Sequence, residues 1–197
     1  VGIQTAGITL AMLILGATVD WIGLRKALLI ALSSMLIGRT LLTLAPNFGE
    51  SGFGGSAHII AMIGIFGIII GYGIYQPACY AGVKKLTTEK TAAMGYAMLY
   101  AIMNLGGFLP GLISPPVRKA SGILGVFWVY AILTVAGIAV VYFIITKKAY
   151  NTAVAEISKD KKENEQEDED ELKKMSAGEK LKFYIKNFPL RDLRFLF

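Results

Sequence analysis

"AHIIAMIGIFGIIIGYGIYQPACYAG", residues 57–82, decides the fold, because it contains no Asp, Glu, Lys or Arg. As an α-helix rising 1.5 Å per residue it extends about 39 Å, more than the roughly 30 Å hydrocarbon core of a bilayer. An apolar run of that length predicts a transmembrane helix rather than the buried helix of a soluble domain. Its C-terminal half is less simple. Tyr72, Tyr75, Gln76 and Pro77 stand there, and a segment that only crossed lipid needs no phenol, amide or helix-breaking proline. Polar groups in hydrocarbon are costly unless they face protein or water.

The rest of the chain repeats the apolar pattern. It is 54% hydrophobic and carries 22 glycines in 197 residues, which fits a polytopic membrane protein. Between Ala27 and Thr146 the charged residues are Arg39, Glu50, Lys84, Lys85, Glu89, Lys90, Arg118 and Lys119. The apolar windows between charges predict an all-α transmembrane bundle over residues 1–146, with five spans at about 1–17, 27–45, 57–82, 93–114 and 122–146. Residues 147–189 read as a charged linker whose short amphipathic helix, capped by Ser176 and Glu179, suits an anionic membrane surface. Residues 190–197 read as the start of another span. Because the chain opens and stops inside apolar stretches, it is read as an internal piece of a longer protein.

Charge sets the orientation. Of the 20 Lys and Arg, 17 lie in residues 18–26, 83–92 and beyond 146, two lie in the alternate connections, and Arg39 falls within a span. Basic residues mark the cytoplasmic side, so Val1 is expected outside and the linker inside, in a bacterial inner membrane. The net charge of +6 reflects this topology rather than nucleic-acid binding, since no basic stripe with interleaved aromatics is present. The single Cys79 excludes an intramolecular disulfide and a CxxC metal site. No paired carboxylates, HExxH or Ser/His set lies within the spans, so neither an enzyme nor a metal or other cofactor is expected. The absence of a G-x-x-x-x-G-K-[ST] loop argues against ATP drive.

Two patterns carry function. In "GATVDWIGLRK", residues 16–26, Gly16 permits close helix approach and Gly23 a sharp turn. Asp20 can cap the following helix or pair with a cation, and Arg25 and Lys26 meet headgroups. The stretch resembles the major facilitator superfamily pattern G-x-x-x-D-[RK]-x-G-[RK]-[RK] on Gly16, Asp20, Gly23, Arg25 and Lys26. Trp21 stands where a basic residue is usual, and Leu24 displaces the basic pair by one. The resemblance implies helices two to six of a twelve-helix transporter, an N-terminal six-helix bundle in part, with those five residues as a cytoplasmic conformational latch.

The second pattern joins "GYGIYQP", residues 71–77, to "YAIMNLGG", residues 100–107. Tyr72 and Gln76, like Tyr100 and Asn104, are four apart, so each pair forms one polar patch on a helix face. Two such patches on adjacent helices predict half the wall of a polar cavity. Gly71, Gly73, Pro77 and Pro110 are read as helix hinges. Gly71, Gly73, Ile74, Tyr75 and Pro77, with Tyr100, Asn104 and Gly106, resemble the proton-coupled oligopeptide transporters, whose lysine is replaced here by Gln76. That lysine is implied in pairing with a helix-one carboxylate and in holding the peptide carboxylate, whereas glutamine donates hydrogen bonds without charge.

The resemblance implies a monomeric secondary active transporter in the lipid bilayer, coupled to protons or another ion and moving di- or tripeptides or a similar small-molecule substrate. Its expected substrate-binding residues are Tyr72, Gln76, Tyr100 and Asn104, with Arg39 and Gln4 as lesser candidates. Arg39, near the outer end of its span, can snorkel outward, pair structurally or touch substrate. Trp128 and Tyr130 are expected as outer-interface anchors. The alternatives are a facilitator-superfamily carrier of sugars, nucleosides or drugs, and a membrane sensor that binds solute without moving it.

Overall fold

The computed structural model describes residues 2–50 and 52–174, and every regular element among them is helical. In chain order these are α1 (Gly2–Leu15), the short α2 (Thr18–Ile22), α3 (Leu24–Leu44), α4 (Ser56–Leu86), α5 (Glu89–Ile144) and α6 (Lys147–Lys174), with one 3₁₀ turn at Ala45–Asn47. The chain forms two compact units, residues 1–155 and 156–197. The described part of the second is helical to Lys174. The amphipathic helix expected from Ser176 and the span expected from Leu190 lie outside the described residues.

Among the described residues, three helical stretches are long and apolar enough to cross a membrane: Leu24–Asn47, Ser56–Leu86 and Glu89–Ile144. At 56 residues, α5 would extend about 84 Å if straight. It is not straight. Gly122 has φ 68° and ψ −171°, a conformation essentially reserved for glycine. Beyond it the chain doubles back, so that the Ser114 and Tyr130 hydroxyls lie 2.7 Å apart; along an unbroken helix they would be separated by about 24 Å. The two arms of α5 are therefore residues 89–121 and 123–144. The connection expected at 115–121 is helical instead. Pro115 and Pro116 lack N–H donors, but their fixed φ suits a helix, and the backbone turns only where a glycine accepts positive φ. At the other end Thr88 and Thr91 cap α5 reciprocally, with Thr91 Oγ1 accepting the Thr88 N–H at 3.0 Å.

Small residues set the packing. A Cβ on Gly38 would lie 2.5 Å from the Gly64 carbonyl oxygen, and one on Gly64 would lie 2.7 Å from that of Gly38. Two backbones thus meet with no side chain between them, as membrane helices do when van der Waals contact replaces a hydrophobic drive. Ser34 Oγ donates to the Gly67 carbonyl at 2.8 Å at the same crossing. Contact partners on α3 and α4 run in opposite senses, so this pair is antiparallel. Gly7, Ala11 and Gly16 of the first segment instead meet Ile69, Gly73 and Pro77 in step, so α1 lies parallel to α4. Val19, Leu24, Ala27, Leu28, Ala31, Ile74, Ala78 and Val141 form one buried cluster where α2, the start of α3, the end of α4 and the end of α5 converge. By contrast, Met94, Met98, Ile102, Leu105 and Phe108 on the first arm of α5 are exposed, as a lipid-facing surface is.

Candidate functional site

Above the buried cluster lies a cavity of about 700 Å³. It is walled by Leu32, Met35, Arg39 and Leu42 of α3, by Ile68, Tyr72 and Tyr75 of α4, and by both arms of α5, with Gln4 of α1 at its edge. Its volume is in the range of small-molecule sites, and so is its mostly apolar lining with a few converging polar groups.

Those polar groups meet at Arg39. Its Nη1 donates to the Tyr130 carbonyl at 2.9 Å and to Thr134 Oγ1, and its Nη2 donates to the Tyr72 hydroxyl at 3.4 Å. The guanidinium also stands over the Tyr130 ring, 6.0 Å from its centroid. Arg39 does not snorkel to the outer surface. Its side chain turns sideways to Thr134, which lies about 18 Å along its arm from the turn at Gly122.

The expected site residues separate into two groups. Arg39, Tyr72, Gln4 and Pro110 line the cavity. Gln76, Tyr100 and Asn104 do not. Gln76 is half-buried, one turn nearer the C-terminal end of α4 than Tyr72. On α5 the lining residues Gly106, Leu109, Pro110 and Ile113 form one stripe at helical spacing. At 3.6 residues per turn, Asn104 falls about half a turn from the centre of that stripe. Tyr100 is exposed, and Asn104 Nδ2 donates to the Tyr100 carbonyl of its own helix at 3.0 Å. This pair therefore forms an intrahelical contact on the other face, rather than a second cavity wall.

Tyr130 and Thr134 are the residues missed. Tyr130, expected as an interface anchor, lines the cavity; its carbonyl accepts from Arg39, and its hydroxyl pairs with Ser114. The available signal was the four-residue spacing of Tyr130 and Thr134, the same polar pairing already noted on the two preceding spans.

The expected hinge residues are packed. A Cβ on Gly71 would lie 2.8 Å from the Ala31 carbonyl oxygen, and one on Gly73 would lie 2.6 Å from Ala11 Cβ. Helix α4 passes through Pro77, and α5 through Pro110, without a non-helical residue at either position.

At the opposite end of α3, Gly23 turns the chain with φ 86°. Asp20 does not cap α3; its Oδ1 lies 3.6 Å from Lys85 Nζ of α4. Arg25 Nη2 donates to the Tyr142 carbonyl at 3.3 Å and its guanidinium stacks 5.5 Å from that ring. Tyr142 is in the last turn of α5, where carbonyls lack helical partners, so Arg25 caps that helix and tethers it to α3. Lys26 is exposed. Gly16 lies against Pro77, whose Cγ is 3.5 Å from the position of a Cβ there, so the two sequence patterns touch. Because Asp20 is 72% exposed, Asp20→Asn should change stability by no more than about 0.5 kcal/mol; thermal unfolding of the purified protein checks this.

No curated protein and no solved structure matches the chain significantly. Over residues 1–197 it matches the family model of the Major Facilitator Superfamily. With its helical membrane spans and the cavity between them, the chain belongs to the major facilitator superfamily, a family of membrane transporters.

Proposed function

We propose that the chain forms the N-terminal part, helices two to six, of a secondary active transporter that moves a small organic solute by alternating access. The observation that supports this most is the cavity of about 700 Å³ gathered around Arg39, Tyr72 and Thr134. Facilitator folds bind solute between helical bundles that rock around it. In this reading the transporter is a monomer of the bacterial inner membrane with five spans in residues 1–146, its linker is cytoplasmic, and Asp20, Arg25 and Lys26 latch the cytoplasmic side.

The narrower reading is proton-coupled symport of di- or tripeptides, supported by the patterns at residues 71–77 and 100–107. A second reading, a carrier of sugars, nucleosides or drugs, is favoured by the position of Gln76, Tyr100 and Asn104 outside the cavity lining and by the missing lysine charge. Liposomes holding the purified protein test both. An inward proton gradient should drive accumulation of radiolabelled dialanine, and a protonophore should abolish it. Flux of another solute with no response to dialanine replaces the peptide reading with the second. Binding without flux of any solute contradicts the carrier reading and leaves a sensor.

A further inference from the structure

We infer that Arg39 is the anion-recognition residue of the cavity, and that the solute it takes is an organic monoanion: one carboxylate on an apolar body. The inference rests on reading the cavity as the solute site.

Arg39 is the one charged residue of the cavity lining among the described residues. Its hydrogen-bond partners are a carbonyl, a hydroxyl and a phenol, all neutral. Among the described residues no carboxylate lies within ion-pair distance of it. A guanidinium stays protonated at any physiological pH. Held inside a membrane bundle with only neutral partners among the described residues, it is costly. A cation kept in a cavity under those terms is satisfied when the ligand brings the negative charge.

The geometry leaves room for that exchange. The bond from Nη2 to the Tyr72 hydroxyl, at 3.4 Å, is long, and a carboxylate offers two stronger, parallel acceptors. The single positive charge balances a monoanion, whereas a phosphate dianion would leave excess negative charge at membrane depth. Leu109, Ile113, Phe127 and Leu133 supply the apolar surround.

A second observation points the same way. A separate cavity of about 430 Å³, lined by Ser114, Pro115, Arg118 and Lys119, adjoins the first across the Ser114–Tyr130 hydrogen bond. Two further cations, with no carboxylate in that lining, make this neighbouring pocket attractive to anions.

The test uses the full chain in nanodiscs and isothermal titration with N-acetyl-leucine and its primary amide, an isosteric pair that differs by one charge. The acid should bind at least about tenfold tighter than the amide. Arg39→Gln should bring the acid-to-amide affinity ratio to about one, with its folding shown separately by helical circular dichroism and a monodisperse elution profile, and Arg39→Lys should keep part of the preference. Equal binding of acid and amide by the unsubstituted protein, binding of neither, or tighter binding of phenyl phosphate than of the acid overturns the inference. So does a preference that survives in Arg39→Gln, since Arg39 would then only staple α3 to α5. Counterflow in liposomes separates this from the carrier reading. An acid preference without counterflow removes the carrier and keeps the anion site; equal counterflow of acid and amide keeps the carrier and removes the anion site.

Discussion

Gly38→Leu is expected to lower the apparent melting temperature of the purified protein by about 8 °C. The Cβ alone would meet the Gly64 carbonyl oxygen at 2.5 Å and the Ile68 amide nitrogen at 2.8 Å. Both are backbone atoms in the middle of α4, so no rotamer change relieves the clash; the helices must part. Parting them forfeits the Ser34–Gly67 hydrogen bond and the neighbouring contact of Gly71 with Ala31. Overpacking of this kind costs about 3 kcal/mol, and each kcal/mol shifts melting by roughly 2–4 °C in a chain of this size. Gly107→Ala is the matched control. Nothing lies within 4 Å of a Cβ there, and alanine is the better helix former, so melting should hold or rise slightly. Thermal unfolding in detergent reads both.

Gly122→Ala should cost about 2 kcal/mol, because φ 68° with ψ −171° is closed to any residue with a Cβ. The informative comparison is Gly122→Asn. Asparagine eases into the ordinary left-handed region, but ψ at Gly122 lies far from it, so asparagine should be no better than alanine. The damage should reach the cavity as well, since the turn sets how residues 106–113 face Tyr130 and Thr134. Solute binding should therefore weaken in both variants along with melting. If asparagine restored wild-type melting, the turn would have ordinary left-handed geometry and the account of the two arms would be wrong.

The all-α membrane character was legible because charge is scarce from Ala27 to Thr146, and scarcity of charge over whole-helix lengths has few other causes. The segment at residues 16–26 was legible in part. Gly23 does turn the chain, but the partners of Asp20 and Arg25 are long-range: Lys85 of α4 and the Tyr142 carbonyl of α5. A carbonyl leaves no trace in a sequence. The reversal at Gly122 was displaced by Pro115 and Pro116, which read as a loop although their φ also suits a helix.

The cavity was half legible. Three polar pairs share one spacing, Tyr72 with Gln76, Tyr100 with Asn104, and Tyr130 with Thr134. Spacing fixes that two residues share a face and says nothing about where the face points. That depends on the rotation of each helix, which the glycine contacts of α3 and α4 and the turn at Gly122 decide. Arg39 was the informative exception. A cation inside a span demands a partner, and its partners, Tyr130 and Thr134, mark the wall that the motif comparison passed over.

Alternating access around this cavity is the central claim, and thiol accessibility tests it without knowledge of the solute. Leu133 lines the cavity next to Thr134, and Cys79 is the one native cysteine. In a Cys79→Ser background carrying Leu133→Cys, a membrane-impermeant maleimide should label the protein in right-side-out vesicles and also in inverted ones. Labelling from one side alone, or from neither, would contradict the account.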